Sequence, residues 1–136
     1  MNLYGIPGAE VDLYWSRIAP LLEKPIERLQ LQRFIKLEEI REYVRSSDMQ
    51  CWVVPHDDRI LVAVITQIVV LREIKILTIP YLGAQRHTMH LWLHLFSVLK
   101  DFAKAHDCKI VRGWGRPGWE KVLKPDTVRI EFDIEV

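Results

Sequence analysis

The chain has little cysteine, no excess of charge of either sign and no apolar run long enough to cross a bilayer. Two cysteines, Cys51 and Cys108, cannot build the multi-bridge framework of a small secreted domain. Each stands at the start of an apolar run, which predicts free, buried thiols. A formal net charge of +1 without a long basic run excludes the electrostatic profile of a dedicated nucleic-acid binder. The longest apolar stretch, residues 60–71, is interrupted by Thr66 and Gln67 and falls short of the roughly 20 residues of a spanning helix. The N-terminal MNLYGIPGAEVDLYW lacks both a charged n-region and a long apolar segment, which predicts no signal peptide. Repeats and low-complexity linkers are absent. What is present is a chain of 136 residues, 49% hydrophobic and 27% charged, enough for one domain over residues 1–136 with its own core. Its expected location is the cytoplasm.

Apolar spacing predicts the elements. Residues 11–29 place Leu13, Trp15, Ile18, Leu22, Ile26 and Leu29 at mainly helical steps, with breaks or kinks expected at Pro20 and Pro25. Residues 36–44 put Leu37, Ile40 and Val44 on one face of a second helix. Three strands follow at 51–55, 60–71 and 75–81, joined by turns at 56–59 and 72–74, an antiparallel meander. Residues 87–106 carry Trp92, Leu95, Phe96, Leu99, Phe102 and Ala103 as one stripe of a long helix. A strand at 108–112, a short helix at 119–124 and a closing strand at 128–136 complete the order α-α-β-β-β-α-β-α-β. The closing strand alternates Val128, Ile130, Phe132, Ile134 and Val136 with Arg129, Glu131, Asp133 and Glu135, one face buried and one wet. The fold class is α/β, a mixed twisted sheet with helices on both faces. Its third and fourth strands run parallel through the helical crossover.

GWGRPG at 113–118 matches G-x-G-x-x-G between a strand and a helix. A dinucleotide site needs a full βαβ unit after the glycines, and only about two turns of helix follow here. The motif reads as a tight strand-to-helix turn, with Gly113 and Gly115 permitting close backbone approach and Pro117 opening the helix. His87, His90 and His94 share a helix face with Asp101, opposite the apolar stripe, and read as a solvated face, with a weak metal site or a partner contact as the alternative. Ser46, Ser47 and Ser97 lie outside any nucleophile elbow, and neither cysteine has an activating neighbour. Trp114 and Trp119 flank the glycine turn, in core packing or as anchors for a partner.

The element order resembles the GNAT family of N-acetyltransferases. The stretches QCWVV, ILVAVITQIVV, KILTIPYLG and AKAHDCKIVRGWGRPGWEKVLK, with the alternating last segment, are similar to small GNAT-like proteins of tailed bacteriophages. The segment 107–119 is the most specific part. The resemblance implies that the acetyl-CoA pyrophosphate meets backbone N–H groups in the loop at Leu82, Gly83, Ala84, Gln85 and Arg86, where a helix begins. It implies a V-shaped cleft between residues 79–83 and 111–115, lined by Gly113 and Gly115, with Pro80 suited to the parting of the strands. Where the family often has a catalytic tyrosine, this chain has Trp119-Glu120-Lys121. An indole N–H donates a hydrogen bond but cannot supply a proton to a leaving thiolate. Tyr81 is then the phenol nearest the cleft and the candidate catalytic acid.

Two functions follow from the resemblance and its departures. The first is a phage-encoded, catalytically degenerate GNAT-like protein, a virion-assembly or virion-associated binding module with a phage structural or host protein as partner. The alternative is an active acetyl-CoA-dependent N-acetyltransferase acting on an amine of a protein or small molecule. Neither implies a membrane or a dedicated nucleic-acid partner. The implied location is the host cytoplasm or the virion.

Overall fold

The computed structural model describes residues 1–115 and 118–136 of the chain. Pro117, expected to open the last helix, lies outside the described residues. A short strand β1 (Tyr4–Ile6) comes first and pairs antiparallel with β2 (Gln50–His56), Gly5 opposite Trp52. No apolar pattern announces this strand, because three residues ahead of Pro7 are too few to show a period. A single 3-10 turn leads into helix α1 (Val11–Arg28).

The break expected at Pro20 and Pro25 does not occur; both prolines sit inside one helix. A proline costs a helix one N–H donor and crowds the preceding turn. Here Val11, Trp15, Ile18, Leu22 and Ile26 are all buried, each worth about 1.5–3 kcal/mol, so packing outweighs the local cost. Helix α2 (Leu37–Arg45) buries Ile40 and Val44 against the same core. Asp12 ties the two helices together, accepting from Arg41 Nε at 2.7 Å and Arg45 Nε at 3.0 Å.

Strands β2, β3 (Arg59–Leu71) and β4 (Ile74–Ala84) form the expected meander, with Cys51 opposite Ile65 and Ile65 opposite Tyr81. The β3–β4 hairpin turns on Arg72 and Glu73, at φ 52 and 69, the left-handed values a two-residue turn requires. Thr66, fully buried in β3, accepts from Trp52 Nε1 at 2.9 Å and donates to Gln50 Oε1 at 2.9 Å, so no hydroxyl is stranded in the core.

The long helix expected at 87–106 is three pieces: α3 (Met89–Trp92), a 3-10 turn over Leu93–Leu95, and α4 (Phe96–Ala105). Trp92, Leu95 and Leu99 stay buried on one face across the 3-10 turn, as their i, i+3, i+7 spacing prescribes. Strand β5 (Ile110–Gly113) runs parallel to β4, and α5 (Gly118–Leu123) follows. The sheet order is β1-β2-β3-β4-β5.

The sheet separates two cores. Helices α1 and α2 cover one face, over Cys51, Val53, Ala63 and Ile65. Helices α3 and α4 cover the other, over Trp52, Val62, Val64 and Leu77. Trp119 packs into this second core, with ring centroids 6.0 Å from both Trp92 and Phe96. Trp114, by contrast, is exposed and donates its indole N–H to Glu131.

The closing strand expected at 128–136 is absent: these residues are in neither helix nor strand. Ile130 is 94% exposed, Phe132 76% and Ile134 78%. Alternation prescribes a buried face but not the edge that supplies the pairing. Here the segment is held by its polar side instead, Glu131 by Trp114 and Glu135 by Arg33. Among the described residues no helix is long and apolar enough to cross a membrane.

Candidate functional site

Strands β4 and β5 pair from Ile76↔Ile110 to Ile79↔Gly113 and then separate. Beyond that point β4 continues to Ala84, and among the described residues β3 is its one strand partner. The parting coincides with an irregularity. Ile65 pairs with Tyr81 and Gln67 with Thr78, so Ile79 and Pro80 together oppose Thr66. This is a bulge, which bends the strand and re-aims the residues beyond it. Pro80 has no N–H to offer the ladder, which suits it to that place. Among the described residues no strand pairs with the side of β4 that faces away from β3 from Pro80 onward.

Tyr81 is the first residue past the bulge. It packs on the α1 side of the sheet and is half-buried, and burial pushes its phenol above the usual range. Leu82 and Ala84 point to the opposite core. Gly83 is buried and pairs with Ala63. The reading of residues 82–86 as one loop therefore needs correction: Leu82, Gly83 and Ala84 are the last residues of β4, and only Gln85 and Arg86 belong to the loop. The strand is longer than its apolar pattern suggested because Gly83 and Ala84 pair with Ala63 and Val62 whatever their weak strand propensity.

A second reason for glycine at 83 appears in this position. A β-carbon there would overlap the carbonyl of Leu21 in α1. That carbonyl lacks its usual helical donor, since four residues on stands Pro25, which has no N–H. The proline frees the carbonyl and the glycine makes room for it, so α1 lies directly on the end of β4. Gly113, on the other wall, meets only the Ile79 side chain at ordinary distance. A β-carbon at Gly115 would stand 3.1 Å from the Trp119 ring, so this glycine does allow a close approach.

The loop after β4 is tied down at both ends. Gln85 donates its backbone N–H to Leu61 O at 2.8 Å and accepts from Thr88 Oγ1 at 2.7 Å. Trp92 Nε1 donates to the same Thr88 oxygen at 3.0 Å. Arg86 is exposed, and His87 takes a left-handed φ of 59. His87, His90 and His94 are all exposed, and no cluster of three metal-ligating side chains occurs among the described residues.

One feature escaped sequence reasoning. Beside the loop lies an open concavity of about 300 Å³ whose lining includes Arg17, Lys24, Arg59, Asp58 and Gln85. Lys24 Nζ donates to Ala84 O at 3.0 Å, joining α1 to the end of β4. Three cations face one carboxylate there, an arrangement suited to a phosphate or carboxylate group. Arg17 and Lys24 are seven residues apart on one helix face, a spacing the sequence does display. Arg59 joins them only through the fold.

No protein-family model and no curated protein matches the sequence. Solved structures do match its fold. An aminoglycoside acetyltransferase, HMB0005, from an uncultured soil metagenomic sample superposes with a TM-score of 0.72 at 14% identity, covering 99% of this chain and 97% of that one. A second, meta-AAC0020, also from uncultured soil, gives 0.68 at 9% identity, covering 98% and 96%. The ribosomal-protein-alanine N-acetyltransferase of Brucella melitensis biovar Abortus 2308 gives 0.64 at 11% identity, covering 100% and 98%. The fold is GNAT-like, that of acetyltransferases, over essentially the whole chain.

Proposed function

We propose that this chain is an acetyl-CoA-dependent N-acetyltransferase acting on a primary amine. The observation that carries the reading is the parting of β4 from β5 beyond Ile79↔Gly113, with a bulge at Pro80. An open strand edge beside a half-buried phenol is a place to hold an extended, amide-bearing arm and to protonate what leaves it. The similarity to acetyltransferase structures supports the same reading at the level of fold. A phage origin and a virion role rest on sequence resemblance alone.

Acetyl-CoA would supply the acetyl group. The chain's residues would do the rest. The free edge of β4 from Pro80 to Ala84 would align the pantetheine amides, and the loop at Gln85 and Arg86 would meet the phosphates. The cations of the concavity, Arg17, Lys24 and Arg59, would neutralise an anionic group on either substrate. Tyr81, kept neutral by burial, would give its proton to the departing sulfur as the C–S bond breaks and the amine nitrogen bonds to the acetyl carbon, and the proton that nitrogen sheds would pass through solvent to restore the phenol.

The test is thermal denaturation of the purified protein with acetyl-CoA, followed by thiol release in the presence of amines. At a hundred times its dissociation constant a ligand adds about 2.7 kcal/mol, a shift of several degrees. Tyr81→Phe should preserve that shift while lowering turnover roughly 100-fold or more. Since the proton donor must be protonated, wild-type activity should persist up to the raised phenol pKa and fall as pH climbs through it. No thermal shift at millimolar acetyl-CoA overturns the proposal.

A further inference from the structure

We infer that the acceptor amine also carries a carboxylate, held by Arg112 and Gln67 on the face of the sheet where Tyr81 lies. The fate of the amine rests on the acetyltransferase reading; the carboxylate site stands on its own geometry.

Gln67 breaks the apolar run of β3, and the fold gives that break a place. Gln67 pairs with Thr78 and Thr78 with Arg112, so the three form one row across β3, β4 and β5. Paired residues share a face, and neighbouring strands lie about 4.8 Å apart. Leu77 and Ile79 belong to the core beneath α3 and α4. Thr78, between them, faces the other way, and its row with it. That is the face of Tyr81, the next residue of β4 to point there once the bulge is passed. The two positions are about 7–10 Å apart along the strand. The core beneath α1 and α2 takes in Tyr81 but neither Thr78 nor any residue of β5, so the row lies at its margin.

The polar groups of this row are unequally used. Thr78 is buried, and its hydroxyl donates to Gln67 O at 2.9 Å. Arg112 is partly exposed, yet its Nε is shielded from solvent and has no hydrogen-bond partner among the described residues. Among the same residues no carboxylate pairs with Arg112 and nothing bonds the Gln67 amide. A donor taken out of water without an acceptor is costly, and a ligand oxygen removes that cost.

The shape of the groups selects the ligand. A guanidinium presents parallel N–H groups along one edge, matched to the two oxygens of a carboxylate. Gln67 adds a neutral donor from across Thr78. One cation in the row suits one negative charge, whereas the three cations of the concavity suit a phosphate better. A carboxylate here and an amine at Tyr81 belong to a molecule spanning about 10 Å or less, the size of a free amino acid.

The experiment measures binding without acetyl-CoA, by isothermal titration of the full-length chain. The probes are γ-aminobutyrate and ε-aminocaproate, each against its carboxamide, which keeps the chain and the amine but loses the negative charge. In at least one pair the wild type should bind the acid about 10-fold or more tightly than the amide. Arg112→Gln should erase that preference while leaving the affinity for the amide and the melting temperature unchanged. Equal affinity for acid and amide in both pairs, or no binding of either acid, overturns the proposal. So does a preference that survives Arg112→Gln. Acetyl-CoA is titrated separately: an absent shift beside an Arg112-dependent preference overturns the enzyme reading and leaves the carboxylate site standing.

Discussion

Gly83 shows how much one side chain's absence can decide. Its neighbour across the sheet–helix interface is the Leu21 carbonyl, a rigid backbone group that cannot rotate aside. Gly83→Ala should therefore cost about 2 kcal/mol or more, read as a lower urea midpoint, although alanine is ordinarily harmless in a buried strand. Glycine at 83 is visible in the sequence; the contact is not, because Leu21 belongs to a distant helix. The thiols also differ by environment alone. Burial pushes the Cys51 thiol up to about 12, whereas Cys108 is only half-buried. A thiol reagent at neutral pH should label Cys108 in the native protein and reach Cys51 only on unfolding. The expectation of two buried thiols thus holds for Cys51 and is too strong for Cys108.

At the scale of elements, strands and helices were most legible where period and length agreed. The meander, α2 and α5 follow their apolar spacing closely. The departures have local causes. Pro20 and Pro25 stay within α1 because one buried stripe runs through both. The stretch after the loop divides at Leu93–Leu95, yet Trp92, Leu95 and Leu99 stay buried across the break. The β3–β4 turn is a place where the sequence works against its own geometry, since neither Arg72 nor Glu73 favours a left-handed φ. Glu73→Gly should raise stability by roughly 0.5–1 kcal/mol, measured as a higher melting temperature with the same unfolding enthalpy per residue.

For the whole molecule, stability against pH should be bounded by Asp12 at the acid end and by Cys51 and Tyr81 at the alkaline end. Hydrogen bonds from Arg45 and then Arg41 hold the Asp12 carboxyl below its usual 3.8. A lowered carboxylate contributes stability above the unfolded pKa and loses it as pH falls through the folded one. At the alkaline end the sign reverses. An unfolded Cys51 ionises from about pH 9 while the folded thiol waits until about 12, so unfolding is favoured by on the order of 1 kcal/mol per pH unit between them. Melting temperatures from pH 2 to 11 should show a plateau with both limbs. Asp12→Asn should flatten the acid limb, and Cys51→Ala should make the alkaline one shallower, leaving the part that Tyr81 contributes.

The sequence by itself determined the class of fold: its apolar periods specify which face each element offers for burial, and its length sets the elements that can share one sheet. The resemblance to the GNAT family implied a parting of the strands, and Pro80 suits it because a residue without an N–H interrupts a ladder. Three things only the tertiary structure decided. The parting of β4 and β5 has its limit at Ile79↔Gly113. The basic concavity draws Arg59 to Arg17 and Lys24. The last nine residues lie off the sheet. Each is a relation between segments far apart in the chain, and local periodicity describes the face a segment offers, never the neighbour that meets it.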